Sequence, residues 1–457
     1  MRVSYQYRIK PNNEQKNKLN HVRRLCQYLY NRMLADKLNW WENNRCSINS
    51  CSIISCPLPE LRDNPNYNTH QDLLPFLKED LILVEWSGEL LDVSDIYSQV
   101  LQDTVKRVHK AFDRYIKGDK NGKRGGKPRF KSSGSFKSFT YPQALDSWIQ
   151  GRFIKLPKID EIEIILHRSL PEGFTIKTCI VSKKADGWYI TLSLEDKTVP
   201  HSPLQEIIPT AKNSSGLDAV LDGSAFVATS EGELFPSVKA FRKNQDKLAK
   251  ISKKKSTKKK GSAKRRKLAK KEAKLHQKIA RSRKDHHFKT SHRLARTNKK
   301  VFFVEDLDLK NLTKRNKARL DENGKFLPNH QSQKSGLNKS FLDAGFGQFV
   351  DILSYIAEKA GGQVIRVKPN YTSQICCNCD TYVPKELSDR IHDCKACDVG
   401  CINRDINAAV NIKRVGLGVF PTIKSRRGKL IIVSSDSTST LKEIRESTRS
   451  LHHTACT

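Results

Sequence analysis

Hydrophobic positions in the first part of the chain follow a strand, two helices and then a group of strands. Residues 1–10 alternate as a strand does, and residues 13–33 carry apolar side chains three and four positions apart, which predicts an amphipathic helix. The helical spacing returns from Ile96 onward. Residues 153–195 change to a period of two, which is typical of antiparallel strands. Because the helices lie between the first strand and the later ones, we expect that strand to join the same small barrel.

The second part of the chain has a different pattern. A hairpin begins near residue 214 and places Asp218 among apolar neighbours, and a continuous apolar run ends in Glu305, as buried parallel strands do. Residues 241–300 are rich in Lys and Arg, yet they keep enough apolar spacing to predict a helical hairpin with one apolar seam and a basic outer face. A further helix leads to a strand at 361–367. This order favours an α/β unit.

Two stretches lack such a pattern. Residues 43–93 are rich in Asn, Ser and Pro and are predicted to be an irregular insertion, in which Cys46, Cys51 and Cys56 have no ligand spacing and are interpreted as ordinary thiols. Residues 420–457 drift into Ser, Thr, Lys and Arg, and we expect a flexible tail.

The charge of the chain is strongly positive. Its 457 residues, long enough for two to four domains, include 84 Lys and Arg against 48 Asp and Glu, a formal charge of +36. Such a surplus repels itself unless an anionic partner is usually bound, so nucleic acid is the leading partner. A solvated basic surface, or one that sits on anionic lipid, is the alternative. Lys127, Arg129, Arg265 and Arg266 are predicted phosphate contacts, and a solvated face is the alternative for each.

The chain has no signal for export or for a membrane. No apolar run approaches the roughly 20 residues of a membrane span, and the N-terminal residues lack the apolar core of a signal peptide. Twelve cysteines in a long chain without such a signal indicate reduced thiols or metal ligands. We therefore expect a soluble protein in a reducing, cytoplasmic compartment.

Four cysteines have the spacing of a metal site. Cys376 and Cys379 form one C-x2-C pair, and Cys394 and Cys397 form a second. Each pair can wrap one edge of a tetrahedral ion, which predicts a zinc ribbon with a closed, structural Zn²⁺ site. Cys377 near the first pair, and His392 or Cys401 near the second, are the neighbours that could take part, although only the four named residues keep both spacings.

Three acids form the candidate catalytic group. Asp218 lies in a strand, Glu305 ends a later apolar strand, and Asp405 begins an alanine-rich helix; each alone could be a solvated or capping residue. Converging carboxylates would repel strongly in a low dielectric unless cations compensated them. Two Mg²⁺ or Mn²⁺ ions roughly 3.5–4 Å apart would do so, and they can drive phosphodiester hydrolysis. The sequence therefore predicts an RNase H-type nuclease core, with Ala408 and Ala409 allowing the helix to pack closely on the sheet.

Several segments together resemble TnpB, the family of transposon-encoded RNA-guided nucleases related to miniature type V CRISPR effectors. They include GKPRFKSS, the GLD hairpin, VEDLDLKNL, TSQICCNC and CKACDVGCINRDINAAVNI, and the resemblance spans roughly residues 1–415. It implies a RuvC catalytic triad of Asp218, Glu305 and Asp405, and a zinc site in the target-loading segment. It also implies a guide RNA from the transposon end, a double-stranded DNA target with a short flanking motif, and action in the prokaryotic cytoplasm or nucleoid.

The resemblance also implies a domain plan. The expected fold is α/β plus β-barrel, with an RNase H-like (RuvC) nuclease domain that contains an inserted zinc ribbon and an N-terminal wedge-type barrel that contains a helical recognition lobe. The expected bounds are 1–10 and 140–213 for the barrel, 11–139 for the lobe, 214–370 and 402–419 for the nuclease, 371–401 for the ribbon and 420–457 for the tail.

The sequence departs from the family pattern at two places, and two other functions stay open. Asp218 is followed by Ala219 and Val220 where the family usually has Gly two residues after the acid, and Asn403 stands where the family commonly has Asp. Neither change removes a triad carboxylate. A nuclease-inactive, RNA-guided DNA-binding repressor and a metal-dependent transposase are the alternatives. The flanking motif, guide structure, cut positions and oligomeric state have no signature in the sequence.

Overall fold

The chain divides into two compact units, Met1–His201 and Ser202–Thr457. The computed structural model describes residues 2–43, 64–79, 81–84, 89–119, 121–132, 134–198, 207–221, 223–368, 370–386, 389–397, 400–426, 429–433, 438–449 and 451. The division falls earlier than the boundary expected at residue 213. Residues 207–213 belong with the second unit, where Ala211 is buried and the Asn213 carbonyl accepts a hydrogen bond from Lys300.

In its described residues the first unit combines a seven-stranded antiparallel sheet and a small two-stranded one with three α-helices. Its elements are β1 (Arg2–Lys10), α1 (Asn13–Asn43), α2 (Tyr67–Glu79), β2 (Leu81–Val84), β3 (Glu89–Asp92), α3 (Ser98–Ile116), β4 (Ser138–Tyr141), β5 (Ile149–Gln150), β6 (Phe153–Leu156), β7 (Asp160–Ile165), β8 (Thr175–Lys184) and β9 (Gly187–Glu195). The two predicted amphipathic helices are confirmed as α1 and α3. Their apolar faces are buried in one core with the sheet, as Leu25 and Leu29 of α1 and Val105 and Val108 of α3 show.

The N-terminal strand joins the later strands, as the sequence predicts. The sheet order is β4-β8-β9-β1-β7-β6-β5, so β1 lies in the middle, antiparallel to both β9 and β7. Among the described residues β4 and β5 are edge strands without a pairing to each other, and closure into a full barrel stays a prediction.

The second unit is an α/β fold with a helical hairpin and several small two-stranded sheets. Its elements are β10 (Ser214–Ala219), β11 (Ala225–Thr229), β12 (Leu234–Pro236), α4 (Gln245–Ser256), α5 (Ala263–Ala295), β13 (Val301–Glu305), α6 (Leu309–Leu312), β14 (Arg319–Leu320), β15 (Phe326–Leu327), α7 (Gln331–Ala344), α8 (Phe346–Lys359), β16 (Gln363–Val367), β17 (Ile391–Asp393), β18 (Cys401–Asn403), α9 (Arg404–Gly416), β19 (Thr422–Arg426), β20 (Lys429–Val433) and α10 (Ser439–Arg449). The predicted basic helical hairpin is confirmed as α4 and α5, with Leu248, Leu275 and Ile279 in its buried seam.

The main sheet of the second unit is covered on both faces. Its order is β12-β11-β10-β13-β16, and β10, β13 and β16 run parallel. Alternate residues of β13 point to opposite faces: Phe302 packs in a cluster with Phe346 and Phe349 of α8, whereas Phe303 packs in another with Ile412 of α9. Burial on both faces explains why β13 has a continuous apolar sequence.

Two predictions of irregular structure are wrong for the described residues. Within 43–93 the chain forms α2 and the β2–β3 hairpin, while Cys46, Cys51 and Cys56 lie outside the described residues. Within 420–457 it forms the β19–β20 hairpin and α10, whose Leu441 and Ile444 are buried. A few well-spaced apolar side chains suffice for α2 and α10 because they pack on a core that the rest of each unit provides, as Leu74 and Leu77 of α2 also show.

Among the described helices, none combines the length and the apolar character that crossing a membrane requires.

Candidate active site and metal site

Two of the three acids lie side by side at the ends of parallel strands. In the register of β10 and β13, Leu217 pairs with Val304, so Asp218 and Glu305 follow at the carboxyl ends of neighbouring strands. The carboxyl ends of parallel strands are the usual position of a functional site in α/β proteins. The topology thus brings together two acids that are far apart in the sequence.

Helix α9 brings the third acid to the same place. Asp405 lies in its first turn and is only 8% exposed. The side chain of Asn403 accepts hydrogen bonds from the backbone N–H groups of Asp405 and Ile406, at 2.9 and 3.3 Å. Asn403 is therefore the N-cap of this helix, a role that Asn and Asp fill about equally well. The departure from the family pattern at this position preserves the local structure.

The helix packs unusually closely on β10. A Cβ atom built on Gly216 would lie 2.0 Å from the carbonyl oxygen of Ala409, and Ala408 and Ala409 are buried. This confirms the expectation that small residues let the helix approach the sheet. Val220, the other unusual residue, is buried in a small cluster with Ala409. Only glycine on the strand fits this contact, which fixes the distance of Asp405 from Asp218.

The electrostatics of the three acids show that they interact. Burial, and then the charges of Glu305 and Asp405, raise the pKa of Asp218 well above its ordinary value. Burial also raises the pKa of Glu305 to about 7. Three carboxylates in such a place cannot all ionise without a compensating cation. The donor set of carboxylate oxygens, from half-buried Asp218 and Glu305 and buried Asp405, therefore fits a hard divalent ion such as Mg²⁺.

Two of the three acids, Asp218 and Glu305, border a small cavity. It has a volume of about 40 Å³ and is lined by Asp218 and Glu305, by apolar side chains such as Leu307 and Leu309, and by Arg366. Within the described part of the chain the three carboxylates do not all approach within 4.8 Å of one another. The binding of a shared pair of ions by these three acids therefore stays a prediction.

Thr372 and two buried asparagines were not anticipated from the sequence. Thr372, which is 3% exposed, donates from its hydroxyl to Glu305 Oε1 at 3.3 Å. Asn411 of α9 donates to the carbonyl oxygens of Thr372 and Ile375, at 2.8 and 2.7 Å. Asn407 accepts from the N–H of Cys377 at 3.0 Å. Two Asn side chains four residues apart in an otherwise apolar helix were the available signal.

The structure brings together the four predicted cysteines. The Sγ atoms of Cys376, Cys379, Cys394 and Cys397 all lie within 4.8 Å of one another, with Cys376–Cys397 at 3.8 Å and Cys379–Cys394 at 3.4 Å. A tetrahedral zinc with Zn–S bonds of about 2.3 Å separates its sulfurs by about 3.8 Å. The four thiols therefore fit a structural Zn²⁺, and burial raises the pKa of Cys394 to about 11, so a cation is needed to hold it as a thiolate.

The neighbours of the four cysteines face elsewhere. Cys377 is fully buried among apolar side chains that include Ile402 and Ile406, and His392 contacts Lys385. Neither these two residues nor Cys401 belongs to the group of converging thiols.

The base of the ribbon is also tied to the C-terminal helix. Arg414 of α9 is fully buried and pairs with Asp380 at 2.6 Å, and Arg445 of α10 pairs with the other carboxylate oxygen of Asp380 at 3.1 Å. Removing one partner of a buried ion pair is strongly destabilising. Helix α10 is thus an integral part of the second unit.

The four predicted phosphate-contacting residues differ in their exposure and in their contacts within the protein. Arg129 and Arg266 are exposed. Lys127 forms an exposed ion pair with Glu42 at 2.7 Å. Arg265 is half-buried and donates to the carbonyl oxygens of Lys255 and Lys258, at 3.1 and 2.9 Å, so it closes the α4–α5 turn. Phosphate binding by these residues stays a prediction.

Fold and site together define an α/β protein with an acidic site at the ends of parallel strands and a four-cysteine metal site. Three family models match the chain: "Probable transposase" at residues 204–316, "Cas12f1-like, TNB domain" at 346–412 and "Helix-turn-helix domain" at 1–46. The last description differs from the structure, in which the described part of that range is β1 followed by one long helix.

Similar proteins span nearly the whole chain. "Putative RNA-guided DNA endonuclease InsQ" of Escherichia coli (strain K12) is 30% identical over 91% of this chain and 93% of its own length. A protein of Streptomyces pristinaespiralis, described as "Putative RNA-guided DNA endonuclease", is 27% identical over 93% of each chain. A Cas12f1–sgRNA–target DNA complex, solved by cryo-electron microscopy, has 13% identity and a TM-score of 0.49, over 86% of this chain and 82% of that one. The chain belongs to the TnpB family.

Proposed function

We propose that this protein is an RNA-guided DNA endonuclease of a transposon, which hydrolyses phosphodiester bonds at Asp218, Glu305 and Asp405. The observation that carries the proposal is the placement of three acids by two parallel strands and one helix, where burial and the charges of Glu305 and Asp405 raise the pKa of Asp218. A carboxyl group whose pKa is raised by burial and by neighbouring carboxylates is typical of functional sites. The relatives that are similar over nearly the full length are described as RNA-guided DNA endonucleases.

Each residue of the site has a defined task in this proposal. Asp218, Glu305 and Asp405 supply the oxygen ligands for two divalent ions, Mg²⁺ or Mn²⁺. Bound ions of this kind supply an activated water and stabilise the leaving oxygen of a phosphodiester. The chain itself holds the ligands in place, since Thr372 donates to Glu305 and Asn403 caps the helix that carries Asp405. Such positioning is what distinguishes a catalytic site from a merely acidic one.

The four cysteines hold a structural Zn²⁺ in this proposal. With four thiolate ligands the ion has no open position and takes no part in chemistry. Its effect is to fix the segment 371–401, which enters and leaves the nuclease unit beside α9. We infer that this ribbon helps to load the target strand, that the second unit is an RNase H-like RuvC domain, and that the sheet of the first unit is a wedge-type barrel.

The partners are a guide RNA from the transposon end and double-stranded DNA next to a short flanking motif. The formal charge of +36 supports them, because a folded RNA and an RNA–DNA duplex supply the phosphates that such a surplus needs. In this arrangement base pairing reads the target sequence, while the protein reads duplex shape and the flanking motif.

The test uses the full chain co-expressed with RNA from the transposon end. A supercoiled plasmid carrying a guide-matched target is incubated with the complex and Mg²⁺. We expect cutting by the wild type, none by Asp218→Asn, and normal cutting by Asp351→Asn, which changes an exposed acid of α8. Persistent binding of the plasmid without nicking by the wild type would overturn the proposal and leave the DNA-binding repressor.

A transposase is the second candidate, since the family model at residues 204–316 is described by that name and this range contains Asp218 and Glu305. It predicts strand transfer between DNA molecules without RNA. Sequencing the RNA that co-purifies with the protein separates the two functions: a transposase needs no RNA, whereas an RNA-guided nuclease retains a defined species.

A further inference from the structure

The segment that leaves Glu305 passes along the acidic cavity and then projects from the unit. Leu307 and Leu309 line the cavity with Glu305. Beyond them the chain forms the small antiparallel hairpin β14–β15, in which Leu320 pairs with Phe326. The hairpin is therefore connected to the wall of the acidic site by a short stretch of chain.

The hairpin is well formed although it is exposed. At its tip the carboxylate of Asp321 accepts from the N–H groups of Asn323 and Lys325, at 3.0 and 2.7 Å, and Gly324 takes the positive φ of 76° that this turn requires. At its base Asn316 donates to the Asn329 carbonyl oxygen at 2.7 Å. These contacts give the projection one defined conformation, as a binding surface needs.

The foot of the projection is held on α7. The Asn316 N–H donates to Gln331 Oε1 at 2.8 Å, and Asn338 donates to the Thr313 carbonyl oxygen at 2.8 Å. The hairpin is therefore anchored to a helix of the same unit.

The surface of the hairpin combines apolar and cationic side chains. Phe326 is 74% exposed, and its cross-strand partner Leu320 is 56% exposed. Five exposed cations lie in the same projection: Lys314, Arg315, Lys317, Arg319 and Lys325. An exposed aromatic ring among cations fits unpaired nucleic-acid bases, which stack on the ring while the cations hold the phosphates. A protein partner would have to be both apolar and strongly acidic here.

We propose that the hairpin Arg319–Leu327 binds single-stranded DNA, with an unpaired base on the Phe326–Leu320 pair and phosphates on the exposed cations of the same projection. A duplex does not satisfy this surface, because its bases are already stacked on one another. DNA is the strand expected beside the acids, so the assignment of DNA rests on the proposed function. The hairpin then holds a displaced strand at the entrance to the acidic site.

The experiment is photo-crosslinking of the full chain in complex with its guide RNA. A single-stranded oligodeoxynucleotide containing 5-iodouracil is added in EDTA, so that no cutting is needed, and the crosslinked peptide is identified by mass spectrometry. We expect a crosslink to the hairpin peptide in the wild type and in Phe326→Tyr, which keeps an aromatic ring. Phe326→Ala should lower its yield about fivefold or more, since a base stack contributes about 1–3 kcal/mol.

The matched control is Leu342→Ala, which removes another exposed apolar side chain, 65% exposed, from α7 and should leave the yield unchanged. A wild-type complex that cuts its guide-matched plasmid but gives no hairpin crosslink would overturn this proposal and leave the proposed function standing. A parallel reaction with 5-iodouridine in the guide tests the other strand, and a crosslink to the guide alone would also overturn it. The proposal would also be overturned if Phe326→Ala changed the molecular mass of the complex and kept DNA crosslinking, because the hairpin would then bind a protein partner.

Discussion

The hydroxyl of Thr372 offers a direct test of how the acidic site is held. Thr372→Val replaces the hydroxyl by a methyl group of similar size in a side chain that is 3% exposed. The hydrogen bond to Glu305 is lost, while the Thr372 backbone carbonyl that accepts from Asn411 is unchanged. The variant therefore removes one contact to the carboxylate and leaves the segment in place.

The size of the effect follows from the contact. A hydrogen bond to a charged acceptor contributes about 1.5–3 kcal/mol, and the 3.3 Å distance from Thr372 Oγ1 to Glu305 Oε1 places this one at the lower end. Since about 1.4 kcal/mol corresponds to a tenfold change in a binding constant, we expect Thr372→Val to raise the Mg²⁺ concentration for half-maximal cutting about tenfold. Mn²⁺ binding, followed by electron paramagnetic resonance, should weaken by a similar factor.

Thr372→Ser is the matched control, because it keeps the hydroxyl and loses only the methyl group. It should retain nearly all of the ion affinity. If the Val variant bound Mn²⁺ and responded to Mg²⁺ as the wild type does, the hydroxyl would have no positioning role. If the Ser variant, which keeps the hydroxyl, were as impaired as the Val variant, the loss of ion affinity could not be assigned to the hydrogen bond.

Three further predictions concern stability and the zinc site. Gly216→Ala should lower the free energy of unfolding by about 3 kcal/mol or more, because its Cβ would lie 2.0 Å from a backbone oxygen. Urea unfolding measures this change. Gly336→Ala is the control, since a Cβ on this helical residue meets nothing within 4 Å, and its free energy of unfolding should not fall. Cys394→Ser should abolish zinc retention, measured by atomic absorption, and retention of a full equivalent would contradict the four-thiolate site. Burial lowers the pKa of His287 to about 4, so this side chain stays neutral in the folded state, whereas in the unfolded state it is protonated below about pH 6.5. The free energy of unfolding should therefore fall as the pH is lowered from about 6.5 to 4. His287→Phe should reduce that fall, as measured by the urea midpoint at each pH.

Much of the second unit was predictable because its patterns are local. The apolar run that ends in Glu305 is typical of a parallel strand buried on both faces, and the spacing of Phe346 and Phe349 indicates the helix that covers it. The cysteine pairs were equally informative, since two C-x2-C pairs at this separation are typical of a zinc site. The four thiols accordingly converge in the structure.

What the sequence did not reveal depends on contacts between distant segments. Leu441 and Ile444 are buried because α10 packs against the core around Cys377 and Ile402, and nothing within residues 420–457 indicates that core. The same is true of Thr372, whose hydroxyl has a meaning only once Glu305 lies beside it. From the sequence alone, such a polar residue cannot be distinguished from an ordinary loop residue.

The contacts of α9 imply that the zinc site and the acidic site are mechanically linked. The helix carries Asp405 in its first turn, is held against β10 through the close contact at Gly216, and binds the ribbon segment through Asn411. In that same segment the Thr372 hydroxyl donates to Glu305. The segment continues into the first cysteine pair of the ribbon, where the Asp380 N–H donates to the Cys376 carbonyl oxygen. Because these contacts are closely packed, a movement of the zinc ribbon should also move the side chains that position the carboxylates. Loss of zinc should therefore weaken divalent-ion binding at the acids as well as unfold the ribbon, whereas an independent ribbon would lose only its own structure.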